Sequence, residues 1–322
     1  MVSKLEKSKE YFERFSSKTK FHCDTLEKVY RLCDLIEEIN NHPQLKNSLV
    51  LKGGTAINFI YFQYPRLSVD IDFNFIGKLG KEEKDSARPD IEKALENLFK
   101  FKKYEFKPEF EYGSQRYYLK YENSSGNIDR IKIEINFLQR LALLGTEKQK
   151  LTTPFGITNA KIAVLRAEEL FAGKSLALID RLAPRDLYDI YNLQKEKISI
   201  NRKILRKLFI FFGCLSRKDF REYKPENVNE ITDQDIKENL WPLLRKDEMP
   251  NLKEMLNYVK PFLKEVFNYL SEEKEYVKSF FRAEFKPELL FGTLLDARKL
   301  KRHPMVIWKQ RHLKEWLEGK TS

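Results

Sequence analysis

Leu51-Lys-Gly-Gly-Thr-Ala56 and, one helix's length later, Ser68-Val-Asp-Ile-Asp-Phe73 form the stretch whose reading decides the fold. Ser48-Leu-Val-Leu51 is a short apolar run that reads as a strand, and Gly53-Gly54 turns out of it. Ala56, Ile57, Phe59, Ile60 and Tyr61 then give a short, very apolar helix fit for burial. In the second segment Val69, Ile71 and Phe73 alternate with Ser68, Asp70, Asp72 and Asn74, the pattern of a strand with one core face and one polar face. A glycine turn at a helix start suits a phosphate, because free backbone N–H groups and the positive helix end point at it. Two carboxylates two apart on a strand point the same way and can share a divalent cation. Together the two segments suggest a metal-dependent enzyme that acts on nucleoside triphosphates.

Working outward, residues up to about 45 read as two helices, the second carrying Leu26, Val29, Tyr30, Cys33, Leu35, Ile36 and Ile39 at helical spacing. Residues 77–87 read as a charged loop, followed by an amphipathic helix from Asp90 to Phe101. Strands are expected over Tyr104–Tyr112, Arg116–Tyr121 and Ile131–Phe137, with a hairpin turn at Ser124-Ser-Gly126. Ile131-Lys-Ile-Glu-Ile-Asn-Phe137 is the clearest of these, and its alternation sets Lys132, Glu134 and Asn136 on one face. Residues 138–158 read as irregular. Two helices, Arg166–Arg181 and Arg185–Gln194, follow, joined by a turn containing Pro184, and the chain from 201 to 318 reads as further helices. The expected fold class is α+β: an N-terminal α+β domain over residues 1–160 and a helical C-terminal domain over 161–322.

The composition is that of a folded protein, 42% hydrophobic and 34% charged in 322 residues. A net charge of +12 favours polyanionic partners, nucleic acid before a membrane surface, although a basic protein from a Lys-rich proteome would look the same. Cys23, Cys33 and Cys214 are odd in number and far apart, which argues for a reducing compartment and against a disulfide framework or a Cys-x-x-Cys zinc site. The charged N-terminus Met1-Val-Ser-Lys-Leu-Glu-Lys7 has no apolar signal core, and no apolar run approaches membrane-spanning length. The cytoplasm is the expected location and a membrane is not an expected partner.

Three sets of residues can carry chemistry. Asp70, Asp72 and Glu134 lie on the polar faces of two strands. If those strands are neighbours, the three carboxylates converge and can hold one or two Mg²⁺ ions, with NTP phosphates completing the shell. Solvated strand positions are the plain alternative. Gly53, Gly54 and Thr55 either cradle phosphate, with the Thr55 hydroxyl donating, or make an ordinary capped turn. Gly173-Lys174-Ser175 resembles a Walker fragment, but no first glycine stands at the required offset and no strand leads into it. Lys174, in an otherwise apolar helix, either snorkels from a core edge or meets phosphate as a point charge. Asp186 and Asp189 share a helix side, as a site pair or as a surface salt-bridge pair.

These segments, together with Arg66-Leu-Ser-Val-Asp-Ile-Asp-Phe73, Ile131-Lys-Ile-Glu-Ile-Asn136, Glu169 to Leu178 and Arg185-Asp-Leu-Tyr-Asp-Ile190, resemble the AbiEii-like nucleotidyltransferases. These are toxins of bacterial type IV toxin–antitoxin systems and include the mycobacterial MenT enzymes. His303-Pro-Met-Val-Ile-Trp-Lys309 is similar to the family's tail, so the resemblance spans roughly residues 45–310. The resemblance implies a polymerase-β-like nucleotidyltransferase core with a mixed sheet and a helical C-terminal part. It also implies Mg²⁺, with two ions, and an NTP substrate whose nucleotide passes to the 3′ acceptor end of tRNA, which stops growth; the residues alone leave open nucleotidyl transfer to a protein or small molecule, and a non-catalytic nucleotide-binding module. By that resemblance Asp70 and Asp72 bind metal, Glu134 takes the place of a third carboxylate, Lys174 contacts triphosphate, and Asp189 or Asp186 is essential. Ser68 is a nucleotide-binding candidate with Gly53, Gly54, Thr55 and Lys174, and it matches a residue phosphorylated in some relatives by a kinase-like antitoxin, so a cognate antitoxin is expected, acting there or on transcription. Thr55 stands where the wider superfamily has serine, which keeps the hydroxyl.

Half of the net charge lies in the last stretch. Between Arg298 and Lys320 there are eight Lys or Arg (298, 299, 301, 302, 309, 311, 314, 320) against Glu315 and Glu318, with Trp308 and Trp316 among them. Lys299, Lys301, Arg302, Lys309 and Arg311 are the RNA-binding candidates, since cations can hold a nucleic-acid backbone while aromatic rings stack bases. The alternative is a terminal amphipathic helix that docks Trp308, Leu313 and Trp316 on the core while its lysines meet water.

Overall fold

The computed structural model describes residues 7–319, so the N-terminal residues 1–6 and Lys320 of the basic tail lie outside the described residues. The chain divides into two compact units, the first running to Leu165 and taking back Lys237–Pro250, the second formed by Arg166–Ile236 and the chain from Asn251 onward.

The first unit is α+β. Helices α1 (Lys9–Thr19) and α2 (Cys23–Asn41) precede β1 (Leu49–Lys52). A helical turn α3 (Gly53–Ala56) widens into a π-helical turn over Ile57–Tyr61, and β2 (Asp70–Phe75), α4 (Lys81–Phe101), β3 (Glu105–Phe110), β4 (Ser114–Glu122) and β5 (Ile128–Asn136) follow. Short strands β6 (Thr146–Gln149), β7 (Thr152–Thr153), β8 (Gly156–Ile157) and β9 (Ile162–Leu165) close the unit. Seven of the strands form one mixed sheet in the order β3-β4-β5-β2-β1-β9-β6. Strand β2 runs antiparallel to β1 and parallel to β5, so the two segments singled out in the sequence sit side by side with β5.

One face of this sheet is the core. Leu51, Ile71, Phe73, Ile131, Ile133, Ile135, Tyr117 and Leu119 are buried there, together with Leu26, Val29, Leu32 and Ile36 of α2 and Ile91, Leu95 and Phe99 of α4. Phe99 meets Phe106 and Tyr117 edge-on at 5.6 and 5.2 Å. Burying a ring of this kind against aliphatic neighbours stabilises by roughly 1.5–3 kcal/mol. The returning segment is stitched to the same unit by backbone bonds, Leu67 N–H to Leu243 C=O and Lys246 N–H to Lys20 C=O, each 2.8 Å.

Three local expectations are corrected. The stretch 77–87 is not all loop, because α4 begins at Lys81 and carries Pro89 in its interior. The Glu83 carboxylate accepts from Gly80 N–H at 3.0 Å, so the helix is started by its acidic first turn rather than at the proline. Residues 138–158 are not irregular throughout, since they hold β6, β7 and β8, and β9 follows them. Pro184 is the first residue of a helix, not part of the turn before it; its fixed φ suits that position and its missing N–H is not needed there.

The second unit is helical throughout its described residues: α5 (Ala167–Arg181), α6 (Pro184–Lys195), α7 (Arg202–Cys214), most of α8 (Asp233–Asn239), α9 (Leu252–Phe267), α10 (Ser271–Phe281), α11 (Pro287–Phe291), α12 (Ala297–Lys301) and α13 (Pro304–Gly319), with short 3-10 turns between. Its core is aromatic: Phe209 packs on Phe220 and Phe267 at 5.4 and 5.1 Å, and Phe211 on Phe291 at 5.7 Å. Among the described residues, no helix is long and apolar enough to cross a membrane.

Candidate active site

The face of the sheet opposite the core is polar, and strand register arranges it in rows. Lys52 of β1 stands opposite Asp72 of β2, Asp72 opposite Glu134 of β5, Glu134 opposite Arg116 of β4, and Arg116 opposite Glu109 of β3. The next row reads Asp70, Lys132, Tyr118, Lys107. The strands β2 and β5 are indeed neighbours, and Asp70, Asp72 and Glu134 lie on one face of them.

The glycine turn is packed against this row. Gly53 has φ +72, a left-handed conformation that glycine adopts at little cost, and a Cβ at this position would lie 2.5 Å from Asp72 Oδ2. At Gly54 a Cβ would lie 2.8 Å from an Arg66 guanidinium nitrogen and 3.1 Å from Ser68 Oγ. Arg66 is buried and donates to Leu67 C=O at 3.0 Å. The buried Thr55 hydroxyl donates to Asp70 C=O and lies 2.9 Å from Ser68 Oγ, which can donate to it in turn. Gly53, Gly54, Thr55, Ser68 and Asp72 are therefore one local assembly, in which the side chains of Thr55 and Ser68 tie the turn to the start of β2.

The electrostatics of the row are uneven. Burial pushes the Asp72 carboxyl above the usual carboxylate range, against the attraction of Lys52 and Lys132. Burial likewise pushes Lys52 below the usual lysine range, with Asp72 and Glu134 opposing it. Glu134 goes the other way: although burial opposes it, Lys132 and Arg116 pull its carboxyl down. Its Oε2 lies 3.1 Å from Arg116 Nε and 3.5 Å from Lys132 Nζ, and Arg116 is also bound to Glu111 at 2.7 Å.

This bears on the metal. Among the described residues no three His, Cys, Asp or Glu side chains are gathered closely enough to cage an ion. Glu134 shares the face but is turned to Arg116 and Lys132. Asp70 and Asp72 are a pair of hard oxygen donors two residues apart on one strand face. That donor set fits Mg²⁺, which is commonly held by one or two carboxylates plus substrate phosphates.

In the second unit, Lys174 of α5 and Asp186 and Asp189 of α6 come together. Lys174 Nζ lies 2.8 Å from Asp186 Oδ1 and 3.0 Å from Asp189 Oδ2, with side-chain exposures of 7%, 0% and 0%. Arg181 adds two bonds to Asp186, at 2.6 and 3.0 Å. Against the cost of burial, Lys174 and Arg181 hold the Asp186 carboxyl well below the usual range. The surface salt-bridge reading of these residues is set aside, because the pair is fully buried; and Lys174 ends in an ion pair inside the unit rather than snorkelling to water.

The tail is anchored by Leu300, His303 and Val306, which are buried. Trp308 and Trp316 are 43% and 50% exposed, so they do not dock as the amphipathic reading expects. Trp308 instead packs against His312, with ring centroids 4.3 Å apart and the ring planes tilted by 39°. Lys299, Lys301, Arg302 and Arg311 are exposed. Lys309 is half-buried and donates to Ser216 C=O at 2.7 Å.

Sequence reasoning missed Lys52, Arg66 and Arg116. For two of them a signal was present, since Lys52 directly precedes the glycine pair and Arg66 stands two residues before Ser68; Arg116 is placed only by the pairing of its strand with β5.

A family model described as nucleotidyl transferase AbiEii toxin of a type IV toxin–antitoxin system matches residues 34–270. Among solved structures, the fold is similar to that of MenT4, a nucleotidyltransferase toxin from Mycobacterium tuberculosis H37Rv. The two share 17% identity and a TM-score of 0.63, over 96% of this chain and 99% of that one. No curated protein matches the sequence.

Proposed function

The chain belongs to the AbiEii family of nucleotidyltransferase toxins of type IV toxin–antitoxin systems, and from that premise we propose that it transfers a nucleoside monophosphate from an NTP to RNA, at the 3′ acceptor end of tRNA, and so blocks translation and growth. The observation that carries this reading is the close approach of Gly53 to Asp72: the turn suited to phosphate and the carboxylates suited to a cation are one assembly. The net charge of +12 supports a polyanionic acceptor.

Asp70 and Asp72 would hold Mg²⁺, which when bound offsets the charge of the triphosphate. The glycine turn lets the triphosphate approach the backbone. The ribose hydroxyl oxygen of the RNA forms a bond to the α-phosphorus, the bond to pyrophosphate breaks, and the hydroxyl proton passes to a carboxylate of the Asp70–Asp72–Glu134 set. Glu134 also aligns Arg116 on the same face. Lys174 is the proposed triphosphate contact, held by Asp186 and Asp189. Lys299, Lys301, Arg302 and Arg311 offer an exposed basic surface to RNA; Lys309 serves the fold first.

The antitoxin that the family implies is proposed to act on Ser68 by phosphorylation, or else on transcription. The Ser68 hydroxyl sits against Thr55, Gly54 and Arg66 and two residues from Asp70. A phosphate there would place negative charge inside the turn assembly.

The test is incubation of purified protein with total tRNA, Mg²⁺ and each labelled NTP in turn, beside Asp70→Asn. Label on tRNA with one or more NTPs, absent in the variant, is the expected result. Label on protein or on a small molecule but not on RNA would overturn the acceptor, and absence of any transfer would overturn the reading as a whole.

A further inference from the structure

Two strands away from Asp70, the polar face carries a tyrosine ringed by cations. Tyr118 lies in the row Asp70, Lys132, Tyr118, Lys107, so Lys132 and Lys107 flank it across the sheet. Along its own strand, Arg116 and Lys120 stand two residues to either side, and strand alternation sets them on the same face. The Arg130 guanidinium lies over the Tyr118 ring, 5.5 Å from its centroid. Lys107, Lys120 and Arg130 are exposed, while Tyr118 itself is half-buried and reached by solvent. Lys132 and Arg116 side chains are 31% and 30% exposed. Arg116 is largely neutralised by Glu111 and Glu134, Lys132 lies 3.5 Å from Glu134, and Glu105 stands opposite Lys120, so the surplus is borne mainly by Lys107 and Arg130, with Lys120 and Lys132 at the margins of the patch.

A core-packing account does not explain this group. Tyr117, the neighbour on the opposite face, is fully buried against Phe99 and Phe106, whereas the Tyr118 ring is shared with Arg130 at the surface. An aromatic ring set among cations spread over three strands is the arrangement that stacks a base while holding the phosphates on either side.

From this we infer that Tyr118 and its ring of Lys107, Lys120, Arg130 and Lys132 form the platform for the single-stranded 3′ end of the acceptor RNA. The inference rests on the RNA-transfer reading above and locates the acceptor on the first unit. Strands in a sheet are spaced by roughly 4.8 Å, which sets Tyr118 about 10 Å from Asp70 along the row. That span suits a base one or two nucleotides upstream of a reacting terminal ribose. A lone NTP fits less well: its charge is concentrated on one triphosphate beside the glycine turn, while these cations extend across β5, β4 and β3, away from it.

The experiment compares wild type, Tyr118→Ala, Tyr118→Phe and the double variant Lys107→Glu with Lys120→Glu. It measures equilibrium binding of a short fluorescent single-stranded RNA, binding of NTP, and KM for tRNA in label transfer. Tyr118→Ala is expected to weaken RNA binding about tenfold or more and to raise KM for tRNA similarly, with NTP binding unchanged and Tyr118→Phe close to wild type. The double variant is expected to flatten the salt dependence of RNA binding, its slope falling by about 0.7 for each phosphate that is no longer neutralised. Unchanged RNA binding and unchanged KM in Tyr118→Ala would overturn the platform, as would weakened NTP binding alone, which would assign the ring to the NTP base. The two readings fail separately. If wild type transfers nothing to RNA yet Tyr118→Ala loses RNA affinity, the transfer reading falls and the platform stands; if transfer to tRNA proceeds and Tyr118→Ala is silent, the reverse holds.

Discussion

Two acid pairs in this chain look alike on paper and are built in opposite ways. Asp70 and Asp72 are two residues apart on a strand; Asp186 and Asp189 are three apart on a helix, and in each case the spacing puts both carboxylates on one face. Asp186 and Asp189 are fully buried, with Lys174 between them and Arg181 on the outer side of Asp186. Asp70 and Asp72 are half-buried on the polar face of the sheet, and the balance of burial and nearby charge leaves the ionised form of Asp72 disfavoured. An acid that the fold has satisfied contributes to the fold; an acid whose ionised form the fold leaves poorly compensated is ready for a cation from outside.

The strongest way to break this comparison is to remove one acid from each pair. Asp70→Asn is expected to cut nucleotide transfer by about a thousandfold or more, roughly 4 kcal/mol of transition-state stabilisation, while its melting temperature stays within a few degrees of wild type. Asp186→Ala is expected to lower stability by about 3–5 kcal/mol, because it leaves Lys174 buried with one partner fewer and Arg181 with none of its bonds to that carboxylate. Calorimetry and label transfer on the same two preparations separate them. An Asp186→Ala protein with an unchanged melting temperature and lost activity would mean that the helical pair is a ligand site like the other.

A smaller effect sharpens the claim that the glycine turn belongs to the Asp72 assembly. Gly53→Ala meets both a left-handed φ and Asp72 Oδ2, and is expected to cost about 2–3 kcal/mol and to displace the carboxylate. Gly54→Ala meets only the end of the Arg66 side chain and Ser68 Oγ, and is expected to cost about 1 kcal/mol. Urea unfolding gives the stabilities. Equal losses at the two positions would show that the approach of Asp72 to Gly53 is incidental.

Much of this was legible because it is local. The alternation of Val69 to Asn74 and of Ile131 to Phe137 gives two strands with their polar faces, and the family resemblance led to the AbiEii toxins that the family match supports. What was not legible depends on partners far along the chain. Nothing in Ile162–Leu165 says that it lies parallel to β1, and nothing near Glu134 says that Arg116 stands opposite it. Pro108 would have argued against a strand in the middle of a sheet; it is tolerated because β3 is at the edge, where only one side of the strand is paired. Lys174 reads as a lysine in an apolar helix until α6 brings two carboxylates to it.

The smallest effect is also the one that distinguishes the pairs by sign. Asp186 has a folded-state pKa below the ordinary carboxylate value of about 4, so its ionised form stabilises the fold above that pH, and the contribution is lost only as pH falls toward the depressed value. Asp72 has a folded-state pKa above the ordinary value, with the pull of Lys52 already included, so its ionisation penalises the fold at neutral pH and the penalty disappears as pH falls to about 4. Asp72→Asn is therefore expected to be more stable than wild type at neutral pH and to converge with it toward about pH 4. Asp186→Asn is expected to be less stable than wild type at neutral pH and to converge only at lower pH. Urea unfolding of the three proteins between about pH 3 and pH 8 measures both differences. Differences of the same sign would show that the fold compensates the two acids alike, and the distinction between a structural acid pair and one suited to a cation would no longer stand.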